Sequence, residues 1–446
     1  MTRSRSWSKD FERWLAPFLQ ALSHKKQRRW APLYIGGLLR PGRRKSVEPM
    51  AERVAPGQVQ QLHNFVSTSR WDPAPLERAL VDKAEAMVGG PQAHLIIDDT
   101  ALVKKGKHSV GVARQYCGEL GKRAGCQVLV SLTLARGEVP VPVGLKLFLP
   151  ESWAKDRPRR RKVYVPDEIE HRPKWKMALE EIDRVVKAGA TFGDVLADAG
   201  YGMCAEFRKG LSERGLLWAV GILPTQKVYG ADVRLRPLAV SPTGRPRKHR
   251  EPTAPSQSAE RIIEALGPRA LRSIRWRRGA KGDLRARFAS TRVRVADGAK
   301  RSRGQRQPGE EVWLIGEQRS GGVKKYYLSN LPATATRRQL AATIKARWVC
   351  EQAHQQMKQE LGLDHFEGRS WHGLHHHGLL VMIAYAFAQH LRLREKKLRR
   401  ARRARPAPAD VASDPSPTGQ HHTQPSALSQ LRQNLHLLPE RMIMAE

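Results

Sequence analysis

Cysteine is scarce in this chain: four residues in 446, Cys117, Cys126, Cys204 and Cys350, with no CxxC pair among them. That excludes a disulfide scaffold and a zinc ribbon, and it fits a reducing compartment. Long apolar runs are lacking too. The longest, GLLVMIAYAFA over 378–388, falls far short of the roughly 20 residues a bilayer span needs, so it reads as a buried helix. The opening residues MTRSRSWSKDFERW hold no apolar signal-peptide core. The expectation is a cytoplasmic protein with no membrane partner. KKGKHS over 104–109 lacks the glycine a phosphate loop requires, Ala101 standing in its place, and no GxSxG occurs. Neither a nucleotide cofactor nor serine-hydrolase chemistry is expected. Acidic residues are few as well, 42 Asp and Glu against 80 Lys and Arg, a formal net charge of +38. So one-sided a balance points to a polyanionic partner.

What is present suffices for a folded, multi-part protein. Hydrophobic residues make up 40%, and the length allows about three domains of roughly 150 residues. Over 1–90 the apolar positions Phe11, Trp14, Leu15, Phe18, Leu19 and Leu22 recur at helical spacing, which predicts a helical domain. Its basic pieces HKKQRR (24–29) and RPGRRK (40–45) suit phosphate contacts, although a solvated face is the commoner use of such charge. From about 91 the pattern turns to strands at 93–98, 126–135 and 139–150. An amphipathic helix over 173–190, a short strand over 194–200 and a helix near 203–214 follow. This order predicts a mixed α/β core over 91–214. A Pro- and Ser-rich basic stretch over 230–260 reads as a loop, and arginine-rich strands are predicted at 273–298, 311–318 and 324–332. Helices resume near 335, with the last core helix over 371–391. Residues 392–405 then carry nine Lys or Arg in fourteen, and 405–426 is low-complexity.

Two strand ends carry carboxylates. IIDDT places Asp98 and Asp99 after a buried run, and VLADAGYG places Asp198 before Gly200 and Gly202. A carboxylate at the end of an apolar strand loses solvation unless something stabilises it, and a divalent cation is the usual remedy in a phosphate-handling enzyme. Acids that cap a strand and open a turn give the same pattern. A third carboxylate lies in RWVCEQAHQQMK, where Arg347, Glu351 and Lys358 fall near one helix face. Pairing of Arg347 with Glu351 across one turn would by itself contribute only a few tenths of a kcal/mol.

Taken together, IIDDTALVKKGKHSVGVARQYCGELGK (96–122), LPESWAKD (149–156), VLADAGYG (195–202), KKYYLSNLP (324–332) and the Arg-x3-Glu-x6-Lys run resemble the insertion-sequence transposases of the DDE superfamily over most of residues 10–390. One large branch of that family carries Tyr-x2-Arg-x3-Glu-x6-Lys. Here Ile344 stands at the tyrosine position. The resemblance implies an α/β fold: a ribonuclease-H-like mixed sheet flanked by helices, with a helical N-terminal domain and a β-rich insertion. The implied division is a helical DNA-binding domain over 1–90, catalytic core over 91–214, insertion over 215–333, C-terminal core helices over 334–391 and a basic, partly disordered tail over 392–446. Asp98, Asp198 and Glu351 become the implied catalytic and metal-binding residues, with Asp99 as the alternative register for the first. Two Mg²⁺ or Mn²⁺ ions are the implied cofactor, hard cations that suit oxygen ligands.

The implied activity is cleavage at transposon ends followed by attack of the freed 3′-OH on target DNA. The alternatives are a related nuclease or resolvase without strand transfer, or a decayed element that only binds DNA. The implied partners are double-stranded DNA, both inverted-repeat ends and target, and a second copy of the chain in a homodimer, at the nucleoid. Arg347 and Lys358 would meet phosphates. Arg277 and Arg278 are further candidate DNA contacts, and the neighbouring Trp276, or Trp313, could stack on a displaced base or fill the insertion's core. GRPRKHR (244–250) reads as a flexible basic loop or a minor-groove contact. His372, His375, His376 and His377 lack a metal-site pattern and are expected at phosphates or a helix end.

Overall fold

The structure, a computed structural model, describes residues 2–236, 250–279, 282–299, 306–319, 322 and 324–404. Most of GRPRKHR and the chain beyond 404 lie outside the described residues.

The first ninety residues are helical: α1 (Thr2–Gln20), α2 (Lys25–Leu39), α3 (Val47–Val54), α4 (Val59–His63), a π-helical turn at Asn64–Thr68, and α5 (Ala74–Val88). Strands follow as β1 (His94–Val103), β2 (Ala113–Cys117), β3 (Lys122–Arg136) and β4 (Val139–Leu147). Then come α6 (Glu151–Ala154), α7 (Arg157–Lys162), α8 (Lys174–Lys187), β5 (Asp194–Ala197), α9 (Ala199–Gly202), α10 (Ala205–Glu213) and β6 (Trp218–Ile222). β1, β3 and β4 form an antiparallel meander, and β5 and β6 run parallel to β1 on its other side. That arrangement, in a large mixed sheet flanked by helices, is the ribonuclease-H-like fold expected from the sequence.

The segment after β6 adds β7 (Lys227–Gly230), β8 (Gln257–Ser258), α11 (Ala259–Ala265), β9 (Arg272–Gly279), β10 (Gly282–Val295), β11 (Glu311–Gln318) and β12 (Lys324–Ser329). It builds no separate sheet. β12 pairs antiparallel with β6, Ser329 opposite Ala219, so all twelve strands belong to one continuous sheet. A boundary at 215 thus falls just ahead of a core strand. β6 is only five residues long, and strand partners are a non-local property that a local pattern does not carry.

Helices α12 (Arg337–Ala346), α13 (Trp348–Gln359) and α14 (Trp371–Ala404) close the chain. α14 runs past the expected end at 391, because Leu, Arg, Lys and Ala are strong helix formers and no Gly or Pro interrupts them before Pro406. Its apolar segment belongs to the main core with the N-terminal helices: Phe387 meets Phe11 at 5.2 Å and Trp14 at 5.8 Å between ring centroids. Among the described residues no helix is long and apolar enough to cross a membrane.

The histidines of α14 differ from expectation. His376 and His377 are buried and His375 is half-buried, and all three are bonded within the protein. His377 Nδ1 lies 2.8 Å from the Tyr34 hydroxyl and Nε2 lies 3.0 Å from the Gly362 carbonyl. A helix buried against both the sheet and the N-terminal helices leaves its ring nitrogens no solvent, so each finds an internal partner.

Candidate active site

β1 lies inside the sheet, flanked by β3 and β5, and its side chains alternate between two helical layers. Leu95 and Ile97 enter the main core with α8, whereas Ile96 packs in the cluster containing Leu340 of α12 and Val349 and Cys350 of α13. Asp98 shares the face of Ile96 and is 9% exposed. The parallel register His94 opposite Asp194 through Ile97 opposite Ala197 carries on to set Asp198 beside Asp98 where β5 ends. Asp198 then caps α9, its Oδ1 accepting from the Tyr201 amide at 3.2 Å.

Two glycines let α9 turn so tightly. A Cβ on Gly202 would stand 1.9 Å from the Gly221 carbonyl oxygen, and one on Gly221 would stand 2.9 Å from the Ala199 nitrogen. Only bare backbone fits between α9 and β6, and that contact fixes where Asp198 sits.

Arg347 occupies the joint between α12 and α13. One guanidinium nitrogen donates to Asp98 Oδ2 at 2.8 Å and another donates to Glu351, one turn on. Arg347 thus bridges Asp98 and Glu351, and Asp198 lies close enough to help raise its pKa. Burial drives Asp98 up to about 7, with Arg347 opposing and Asp198 reinforcing the shift. Burial raises Asp198 also, again against Arg347. On Arg347 burial opposes the charge, but Asp98, Glu351 and Asp198 together raise its pKa. One guanidinium thus leaves two buried carboxylates short of positive charge, and the donor set is all oxygen. Both features fit a hard divalent cation held by Asp98, Asp198 and Glu351.

Asp99 points elsewhere. Its Oδ1 accepts from the Tyr201 hydroxyl at 2.6 Å and its Oδ2 pairs with Lys174 at 2.5 Å. Both oxygens are engaged away from Glu351. Tyr201 was visible in the sequence inside VLADAGYG, whereas nothing marked Lys174.

Of the basic candidates, Lys358 and Arg277 are already paired. Lys358 donates to Glu119 at 2.8 Å. Arg277 bonds Glu138 at 3.0 Å and lies over the Trp348 ring at 5.0 Å. Arg278 stands opposite Asp283 in the backbone register of β9 and β10, and its side chain lies outside the described residues. Trp276 is half-buried against Phe288 and under Lys345, and Trp313 donates from its ring nitrogen to the Pro332 carbonyl. Trp348, which the sequence reading passed over, is 47% exposed three residues before Glu351.

Behind Asp98 lies a buried polar group that sequence reasoning also missed. The Ser131 hydroxyl donates to the Asp98 carbonyl at 3.0 Å and lies 2.8 Å from His354 Nε2. That nitrogen lies 3.6 Å from Cys350 Sγ, and Thr133 Oγ1 lies 3.4 Å from the same sulfur. Burial holds His354 down at about 3, with Lys358 and Arg347 adding to the shift, so its imidazole is neutral. The i, i+4 spacing of Cys350 and His354 was the signal available.

Parts of the chain are similar to known proteins. The curated probable transposase for insertion sequence element IS701 of Microchaete diplosiphon is 30% identical over 181 residues, 40% of this chain and 45% of that protein. The chain thus spans less than half the length of this relative. A cryo-EM structure of a piggyBac transposase synaptic complex with hairpin DNA aligns over 88% of this chain and 78% of that one, at 10% identity and a TM-score of 0.35. A family model described as DDE superfamily endonuclease matches residues 17–283, more than half of the chain, including Asp98 and Asp198 though not Glu351. This chain belongs to the DDE superfamily of endonucleases.

Proposed function

We propose that the chain is the transposase of a bacterial insertion sequence, cutting DNA at the element's ends and joining the freed 3′-OH to target DNA. The observation that supports this reading is Arg347 bridging Asp98 and Glu351, elements remote in sequence, with Asp198 at the end of the strand beside Asp98. Its partners are double-stranded DNA and, in the working complex, a second copy of the chain. The net charge of +38 supplies the attraction to phosphate.

Asp98, Asp198 and Glu351 would hold two Mg²⁺ or Mn²⁺ ions, which when bound supply charge stabilisation for an in-line phosphoryl transfer. The chain's own part is positional. β1 and the α9 cap fix two carboxylates on the sheet, and α13 brings the third to meet them. Ser131, bonded to the Asp98 carbonyl, pins the strand from behind. Arg347 balances the carboxylates before DNA arrives and offers a planar fork to a phosphate afterwards. Lys358, Arg277 and Arg278 add positive charge along the path of the duplex. DNA phosphates then compete with Glu351, Glu119 and Glu138 for these cations.

The test is strand joining. A pre-cut DNA end with a free 3′-OH, taken from the gene's own flanking sequence, is incubated with the protein, Mg²⁺ and a target plasmid. Covalent joining supports transposition; cutting of uncut ends without joining would leave only a nuclease.

A further inference from the structure

Among the described residues one group of three side chains with metal-ligating atoms stands together: Asp98, Cys350 and His354, all buried, their ligand atoms within 4.8 Å of one another. It overlaps the hard-cation site only through Asp98. Its other members, a thiol and an imidazole, are ligands of a different chemical preference. Cys350 and His354 are four residues apart on α13, so they project from one face, one turn apart. Their Sγ and Nε2 atoms are 3.6 Å apart. A tetrahedral ion with a metal–sulfur distance of about 2.3 Å and a metal–nitrogen distance of about 2.05 Å needs about 3.6 Å between those two ligands. That edge is already present.

Asp98 supplies the third ligand. Its Oδ1 accepts from the Asp99 amide and its Oδ2 from Arg347, and each carboxylate oxygen can accept a second partner. Water or the Ser131 hydroxyl, 2.8 Å from His354 Nε2, completes four ligands. The other cysteines, Cys117, Cys126 and Cys204, belong to no such group among the described residues.

We infer that Asp98, Cys350 and His354 form a second cation site, selective for a thiophilic divalent ion such as zinc, whose filling removes Asp98 from the hard-cation site. Binding expels the Cys350 proton to solvent and moves the imidazole proton from Nε2 to Nδ1, so that the thiolate and the freed Nε2 lone pair enter coordination together. Mg²⁺ has little affinity for either ligand, so it does not compete there. Zinc at this position therefore acts as a brake on Mg²⁺-dependent chemistry. The braking half of the inference rests on the proposed role of Asp98; the coordination half does not.

The experiment uses the full chain, freed of metal by a chelator, with Co²⁺ alone as the probe. Wild type is expected to bind one Co²⁺ with a thiolate-to-cobalt charge-transfer band and the strong visible absorption of a four-coordinate ion. Glu351→Gln should keep the band; Cys350→Ser and His354→Gln should lose it or bind at least about tenfold more weakly. Should a variant fail to fold, zinc-edge X-ray absorption on wild type decides instead, with one sulfur ligand at about 2.3 Å expected. Absence of the band, its persistence in Cys350→Ser, or a sulfur count of zero or two overturns the site. Zinc titrated into a Mg²⁺ cleavage assay, each variant normalised to its own zinc-free rate, reads the brake: Cys350→Ser should need at least about tenfold more zinc. Equal zinc sensitivity overturns the brake. A protein that binds Co²⁺ as described but never cuts DNA would sink the proposed function and leave the site standing.

Discussion

At the scale of single residues, Asp98 and Asp99 show how neighbours of identical chemistry part company on a strand. Asp98 turns toward α13 and shares Arg347 with Glu351, while Asp99 ties Tyr201 to Lys174. Asp99→Asn should therefore keep DNA cleavage within about tenfold of wild type, whereas Asp98→Asn should reduce it by about a hundredfold or more. Cleavage rates of the two variants under identical Mg²⁺ check this, and a reversed order would move the site to the other face of β1. Arg347→Lys is not conservative here, because an ammonium cannot bridge Asp98 and Glu351 as a planar fork does. It should weaken binding of end DNA and lower cleavage, read by gel shift and rate together. The sequence made both aspartates visible but left the choice between them to a family register. The deciding partners, Lys174 and Arg347, are 75 and 249 residues away from the carboxylates they contact.

At the scale of elements, apolar periodicity located β1, β3, β4, α8, β5, α10, β11 and α13, since each must bury a face whose spacing is set by its own geometry. It could not tell which sheet the later strands join, because β12 reaches β6 across about a hundred residues and no local pattern encodes that pairing. VLADAGYG was legible as a tight turn; that Gly202 must face the Gly221 carbonyl was not. Gly202→Ala should cost about 1–3 kcal/mol, since backbone on both sides must shift, and cleavage should fall further than stability alone explains because Asp198 moves with α9. Thermal melts beside cleavage rates separate the two losses. Phe387→Ala, at the packing of α14 on α1, should destabilise by about 3–5 kcal/mol while leaving the carboxylates in place. Denaturant melts that show less than 1 kcal/mol would mean these helices do not share a core.

At the scale of the whole molecule, charge and burial pull in different directions. Lys and Arg dominate the chain, yet four histidines are held neutral: burial lowers His354 to about 3 and His375, His376 and His377 to about 4. An unfolded chain protonates its histidines near 6.5, so below that pH it binds more protons than the folded one. Stability is therefore lost as pH falls from about 6.5 toward 4, by about 1.4 kcal/mol per pH unit for each group. Asp98, raised to about 7, and Asp198, also raised by burial, work in the opposite sense: their contribution is present at low pH and lost as pH rises, through 7 for Asp98, two groups against four. Tm should accordingly drop between pH 6.5 and 5, and a flat profile would contradict the burial of these rings. The excess positive charge points to a polyanionic partner directly from composition, because it sums over the chain and needs no fold. The convergence of Asp98, Asp198 and Glu351 does need the fold, and it is the central claim. Its most direct test is Mg²⁺-dependent excision of a marked element bearing the gene's native flanking DNA, with end binding measured in parallel. Wild type should excise, and Asp98→Asn, Asp198→Asn and Glu351→Gln should bind the ends almost as wild type does yet fail to cut. Loss of binding and cutting to the same degree in Glu351→Gln, or cutting that survives any of the three changes, would contradict it.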